Sequence, residues 1–127
     1  PVNFIIEEPE SHLFPESQKY ITELITLIFN LGHSILVTTH SPYVLGTLNN
    51  LLYADNIPKN LKDTASSIIP SEFWVNGNQF SAWFVKNGSV EDCIDQEIHL
   101  IQNEKLDQIS KVINRDFDKL FDLEMDE

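Results

Sequence analysis

Two short apolar runs constrain this chain more than any other feature. Val2-Asn3-Phe4-Ile5-Ile6 and Ser34-Ile35-Leu36-Val37-Thr38-Thr39 are of strand length, rich in β-branched residues and closed by polar ones. One helix-length stretch lies between them. Pro15 suits the first turn of a helix. Tyr20, Ile21, Leu24, Leu27, Ile28 and Leu31 then recur at three- and four-residue spacing, and Gly32 supplies a stop. Strand, helix, strand, with both strands apolar on both faces, predicts a parallel βαβ crossover and an α/β fold.

The rest of the chain reads in pieces. Ser41 as N-cap and Pro42 at the first helical position predict a second helix, made amphipathic by Tyr43, Val44, Leu45, Leu48, Leu51 and Leu52. Residues 54–70 read as an exposed connector. Residues 72–86 hold two aromatic runs around Asn76-Gly77, which predicts a β-hairpin there, with Phe73, Trp74, Phe80, Trp83 and Phe84 as core. After Gly88 a helical tail is expected. Leu106, Ile109, Ile113, Phe117 and Leu120 share one face of it, and helical order fades from about Glu124. The chain thus divides into residues 1–54, a connector at 55–70, and a hairpin with a helical tail at 71–127.

Composition narrows the function classes. The 127 residues, 42% of them apolar, fit one globular domain or part of one. A start at Pro1 reads as a segment of a longer protein. Twenty acids against 8 Lys and Arg give a net charge of −12, which repels phosphate backbones and argues against a nucleic-acid grip. Residues 91–127 carry 12 of those acids and only 4 bases, so the acidity concentrates in the tail. A single cysteine, Cys93, excludes an internal disulfide and a cysteine zinc cluster, and points to a reducing, cytoplasmic setting. No apolar run is long enough to span a membrane.

Chemistry-bearing residues gather at the two strand ends. Glu7, Glu8 and Glu10 follow the first run, and Thr38, Thr39 and His40 close the second. Parallel strands end at one edge of the sheet, where α/β proteins place their ligands. Topology therefore predicts that Glu7, Glu8 and His40 meet, although 32 residues separate Glu8 from His40. One acid is then available for a metal and the other for a substrate water. Against this stands a plainer reading, in which the acids line a solvated loop and the histidine is a surface residue. Composition leaves the two readings even.

The residues Phe4-Ile5-Ile6-Glu7-Glu8-Pro9-Glu10-Ser11-His12-Leu13-Phe14-Pro15 resemble the Walker B and D-loop segment of ABC-type ATPases. They look most like the prokaryotic AAA family ATPases related to RecF, SMC and overcoming-lysogenization-defect proteins. Ile35-Leu36-Val37-Thr38-Thr39-His40-Ser41-Pro42 resembles the switch-histidine strand of the same family, in the same order and at similar spacing. The close resemblance covers residues 2–54.

The resemblance implies the C-terminal part of a P-loop NTPase head, with ATP and Mg2+ as ligands. It implies that Glu7 helps to hold Mg2+, at a position where aspartate is commoner. Glu8 would activate the attacking water, and His40 would bind or sense the γ-phosphate. Ser11, His12, Leu13 and Phe14 would meet the partner head. The implied partners are the N-terminal half of the same ATPase and a second head in a head-to-head homodimer. DNA or a nuclease would come through the parent protein. No Gly-x-x-x-x-Gly-Lys-Ser/Thr loop occurs, and Gly32, Gly46, Gly77 and Gly88 never bunch. The resemblance therefore places the phosphate-binding loop upstream of Pro1, and this segment alone is expected to hydrolyse essentially no ATP. Two other readings compete. One is a catalytically silent interaction module that keeps the fold. The other, weaker, is a metal-dependent nuclease using Glu7, Glu8 and Glu10.

Overall fold

The computed structural model describes residues 1–102 and 108–125. The order of elements is β1 (Asn3–Glu7), α1 (Pro15–Asn30), β2 (Ser34–Thr38), α2 (Pro42–Asp55), α3 (Lys62–Ile68), β3 (Trp83–Lys86), β4 (Ser89–Asp92) and α4 (Gln108–Met125), with single 3-10 turns at Lys59–Leu61, Ser71–Phe73 and Gly77–Gln79. The protein is mixed α/β, and the described residues form a two-stranded parallel sheet and an antiparallel hairpin.

β1 and β2 pair in parallel from Asn3↔Ser34 to Glu7↔Thr38, and α1 makes the crossover. Pro15 opens α1, and Gly32 follows its end in a left-handed conformation (φ 103°) that favours glycine. Ser41 caps α2 as its sequence predicts, its hydroxyl accepting from the backbone N–H of Tyr43 and Val44, both at 3.1 Å.

The stripe expected to bury α1 does not do so as a whole. Tyr20, Leu24 and Leu31 are exposed, whereas Gln18, Thr22, Glu23, Ile25 and Thr26 are buried. α1 packs against α2. Two small threonines on its buried face keep their hydroxyls satisfied within the helix. Thr22 donates to the carbonyl of Gln18 (2.7 Å) and Thr26 to that of Glu23 (2.9 Å). A buried hydroxyl is costly only when unpaired, so this polar face can be covered.

The core lies beside the parallel sheet. It joins Leu45, Leu51, Leu52 and Ala54 of α2 to Ala65, Trp74, Val75, Cys93 and Ile101. Two asparagine amides tie distant backbone to it. Asn49 exchanges two hydrogen bonds with the backbone of Ile101 (3.0 and 2.7 Å), and Asn30, at the end of α1, donates to the carbonyls of Glu72 (2.9 Å) and Trp74 (2.8 Å). Residues 54–70 are more than a connector, since α3 buries Ala65 and Ile69 packs on the core. In the sheet, Phe4, Ile6, Ile35 and Val37 are half-buried, while Ile5 and Leu36, paired on the other face, stay 74% and 59% exposed.

The hairpin sits elsewhere than expected. Asn76-Gly77 does not turn between strands. The Asn76 side chain accepts from the backbone N–H of Asn78 (2.9 Å), and the chain winds into the turn at Gly77–Gln79. The preceding residues are already committed to the core, with Val75 N–H on the carbonyl of Leu51 (3.3 Å) and the Trp74 indole on that of Ile69 (2.9 Å). The hairpin forms instead around Asn87-Gly88, both at positive φ (53° and 77°), with β3 and β4 closing at Lys86↔Ser89. Among the described residues the chain after Gly88 is thus first a strand, then a turn, and α4 is described from Gln108. Phe73, Trp74, Phe80 and Phe84 belong to the core or pack on it, but Trp83 is exposed.

α4 carries the expected tail helix, running to Met125; Leu106 of its expected face lies outside the described residues. Ile113, Phe117 and Leu120 are exposed, with Phe117 stacked on Phe121 at 6.3 Å. Among the described residues no helix is long and apolar enough to cross a membrane.

This division of burial has a measurable consequence. Leu51→Ala, at a fully buried position, should lower unfolding free energy by about 2–5 kcal/mol in urea titrations. Ile5→Ala, on the open sheet face, should change it by about 0.5 kcal/mol or less.

Candidate functional site at the carboxyl edge of the parallel sheet

The site is built by the strand ends and the turns that follow them. The last register pair is Glu7↔Thr38, and Glu8 N–H continues the ladder to the carbonyl of Thr38 (2.8 Å). Both chains then leave the sheet at the same edge. There the His40 imidazole Nε2 lies 3.5 Å from a Glu8 carboxylate oxygen, with side chains 87% and 53% exposed. An exposed pair of this kind contributes only about 0.2–1 kcal/mol to stability. Its placement is therefore poorly explained as a fastening of the fold, and both groups remain open to a ligand. Glu7 is also exposed, one residue back on β1. The structure brings Glu8 and His40 together and leaves Glu7 at the adjoining register position.

The backbone at this edge is unusual. Glu8 and His12 adopt φ of 46° and 64°, a left-handed conformation uncommon in residues other than glycine. Two turns hold it, with Ser11 N–H on the Glu8 carbonyl and Leu13 N–H on the Glu10 carbonyl, both at 3.0 Å. Ser11, His12, Leu13 and Phe14 are all exposed and lie at the tip of this turn. Phe14, 83% exposed, directly precedes α1.

Glu10 has a role at this edge that the sequence did not disclose. Its carboxylate accepts from the Thr39 hydroxyl (2.6 Å) and from the His40 backbone N–H (3.1 Å). Partial burial works to raise its carboxyl, but the hydrogen bonds from Thr39, the His40 backbone and its own backbone, with the charge of His40, together hold it below its ordinary value. The signal for this partner was confined to spacing: an acid two residues past Glu8 and a hydroxyl just before His40. Nothing in the pattern of residue types assigned one to the other.

Carboxylate oxygens at a sheet edge are hard donors and suit Mg2+, which takes one or two carboxylates together with substrate phosphates. A complete metal centre is a different matter. Among the described residues no three His, Cys, Asp or Glu side chains gather to hold a metal ion. The shallow concavity bordered by Leu52, Asp55, Asn56, Asn76, Asn78 and His99 shares no residue with the site. Cys93 is buried, its thiol against the Glu91 carbonyl at 3.7 Å.

Compared with known proteins, the chain matches no family model, no curated protein and no solved structure.

The lowered Glu10 carboxyl fixes a sign. A group held below its unfolded value contributes stability that is complete above the ordinary carboxylate range and is lost as pH falls through the folded value. Urea midpoints measured downward from pH 7 should therefore fall in acid, and Glu10→Gln should flatten part of that fall.

Proposed function

We propose that this chain is the C-terminal portion of an ABC-type ATPase head, supplying its water-activating acid and its γ-phosphate-sensing histidine. One observation carries the reading: Glu8 and His40, the two residues that the family resemblance singles out, lie 3.5 Å apart at one end of the parallel strand pair. A chance pairing of a loop acid with a surface histidine has no reason to fall on both motif positions.

In this reading MgATP is the substrate, and the phosphate loop of the remaining half of the head completes its site. Glu7 would help to hold Mg2+ through its carboxylate, and the ion would supply positive charge against that developing on the phosphate oxygens. Glu8 orients water for attack and takes its proton, and the exposed carboxylate has the freedom to do so. The imidazole of His40 donates to the γ-phosphate, where preorganised donors stabilise developing charge. Ser11, His12, Leu13 and Phe14, at the tip of their turn, meet a second head in a head-to-head homodimer. The setting is cytoplasmic, and DNA or a nuclease enters through the parent protein.

A second reading is a catalytically silent interaction module. The exposed apolar pair of Ile5 and Leu36 favours it, because parallel sheets are ordinarily covered on both faces. A single comparison separates the two. In the complete protein, Glu8→Gln should cut steady-state MgATP hydrolysis by on the order of 10²-fold or more while ATP binding is kept. Equal rates in wild type and variant would remove the ATPase reading and leave the interaction module.

A further inference from the structure

We infer that Glu10 and Gln18 are positioning residues, which fasten the turn after β1 to the segment after β2 and so set where the His40 ring stands against Glu8. The catalytic consequence rests on the ATPase reading; the fastening rests on geometry alone.

The connection is continuous from one turn to the other. Gln18, in the first turns of α1, donates its amide N–H to the Leu13 carbonyl (2.9 Å), and its amide oxygen accepts from the Ser41 hydroxyl (2.5 Å). The Ser41 backbone N–H donates to the Thr39 hydroxyl oxygen (3.0 Å), and that hydroxyl donates to Glu10 (2.6 Å). The second Glu10 oxygen accepts from the backbone N–H of His40 (3.1 Å). Gln18 and Ser41 are both buried, and no buried side-chain polar atom among the described residues lacks a partner. The Ser41–Gln18 bond is buried, so displacing it leaves a polar group unpaired, and the part-buried Thr39–Glu10 bond carries that constraint to the exposed bond on the His40 N–H.

The need for such a network follows from His40 itself. Its side chain is too exposed to be held by packing. Only the backbone can aim it, and Glu10 grips the backbone N–H of that residue and the side chain of the one before it. Gln18 extends the grip to the other turn, since one end of its amide binds residue 13 and the other residue 41. A cap for α2 needs none of this: Ser41 already accepts both helix N–H groups without help from Gln18 or Glu10.

The test uses amide hydrogen exchange and ring-proton contacts of His40, read by NMR on the 127-residue chain. Thr39→Val keeps the shape and removes the hydroxyl. It should speed exchange of the His40 amide about tenfold or more and weaken the cross-peaks between the His40 ring and the Glu8 side chain. Thr39→Ser, which restores a hydroxyl, should return both to wild-type values. Gln18→Leu, close in volume, should loosen the same amide and serves if Thr39→Val does not fold. Unchanged Leu51 and Trp74 resonances establish that the core is intact. Folded Thr39→Val and Gln18→Leu proteins with wild-type His40 exchange and ring contacts would overturn the fastening.

In the complete ATPase, Thr39→Val should lower kcat while KM for MgATP holds, and Thr39→Ser should recover it. A loosened His40 with unchanged kcat would overturn the positioning role. If Glu8→Gln leaves hydrolysis intact, the ATPase reading falls, and the NMR comparison still decides the fastening.

Discussion

The parallel pairing of β1 with β2 is the interaction on which the site depends. It is a short ladder, five residues a side, from Asn3↔Ser34 to Glu7↔Thr38. Its register decides which residues leave the sheet together. A slip by one residue would displace one strand end by about 3.3 Å and turn every side chain to the other face. That displacement is close to the 3.5 Å separation of Glu8 and His40, so a slip would part the pair. The bond from Glu8 N–H to the Thr38 carbonyl adds one more rung at the end where register matters most.

The weight of the hydrophobic core falls elsewhere. α2 organises it, with α3, the Trp74-Val75 segment, Cys93 and Ile101. The sheet is joined to this core through α1, which packs on α2 and buries Thr22 and Thr26 beside Ile25. The site therefore stands on the thin side of the molecule. Regions with few buried apolar contacts open at low free-energy cost, and sites that bind and release ligands are drawn from them. Ile5 and Leu36 likewise leave one face of the parallel pair uncovered, where such sheets are ordinarily covered on both faces.

How much of this could be read from the sequence depended on how local the signal was. The βαβ unit was legible because its two strands, its helix and its Gly32 stop are each coded by neighbouring residues. Ser41-Pro42 was legible for the same reason. The convergence of Glu8 with His40 followed from topology, without any contact being visible. The hairpin was misread because two Asn-Gly pairs compete. Asn76-Gly77 sits between aromatic residues and looks the better turn, yet Trp74 and Val75 are drawn into the core, and the Asn76 side chain closes its own turn. Asn87-Gly88 is flanked by less conspicuous residues but is free to adopt positive φ at both positions. The buried face of α1 was misjudged because apolar periodicity ignores threonines that satisfy their own hydroxyls. Gln18 carried no sequence signal, since its role exists only between two loops that the fold brings together.

The backbone at Glu8 gives the strongest physical reason to look for function at this edge. Glu8 precedes Pro9, and proline disfavours helical conformations in the residue before it. Glu8 nevertheless has φ of 46°, and His12 has φ of 64°. Such conformations cost on the order of 1–3 kcal/mol each. The Glu8–His40 pair, exposed to solvent, is worth too little to offset them. The stabilisation comes from the surroundings, through the Ser11 and Leu13 turn bonds, Glu10 on Thr39 and His40, and Gln18 between Leu13 and Ser41. An extended Glu8 would relieve the strain and carry β1 onward, away from the turn that now ends it. The neighbouring hydrogen bonds thus maintain a conformation that the local sequence opposes, and its structural effect is to present an exposed carboxylate beside an exposed imidazole. A loop that served only to join β1 to α1 would have no need of that arrangement.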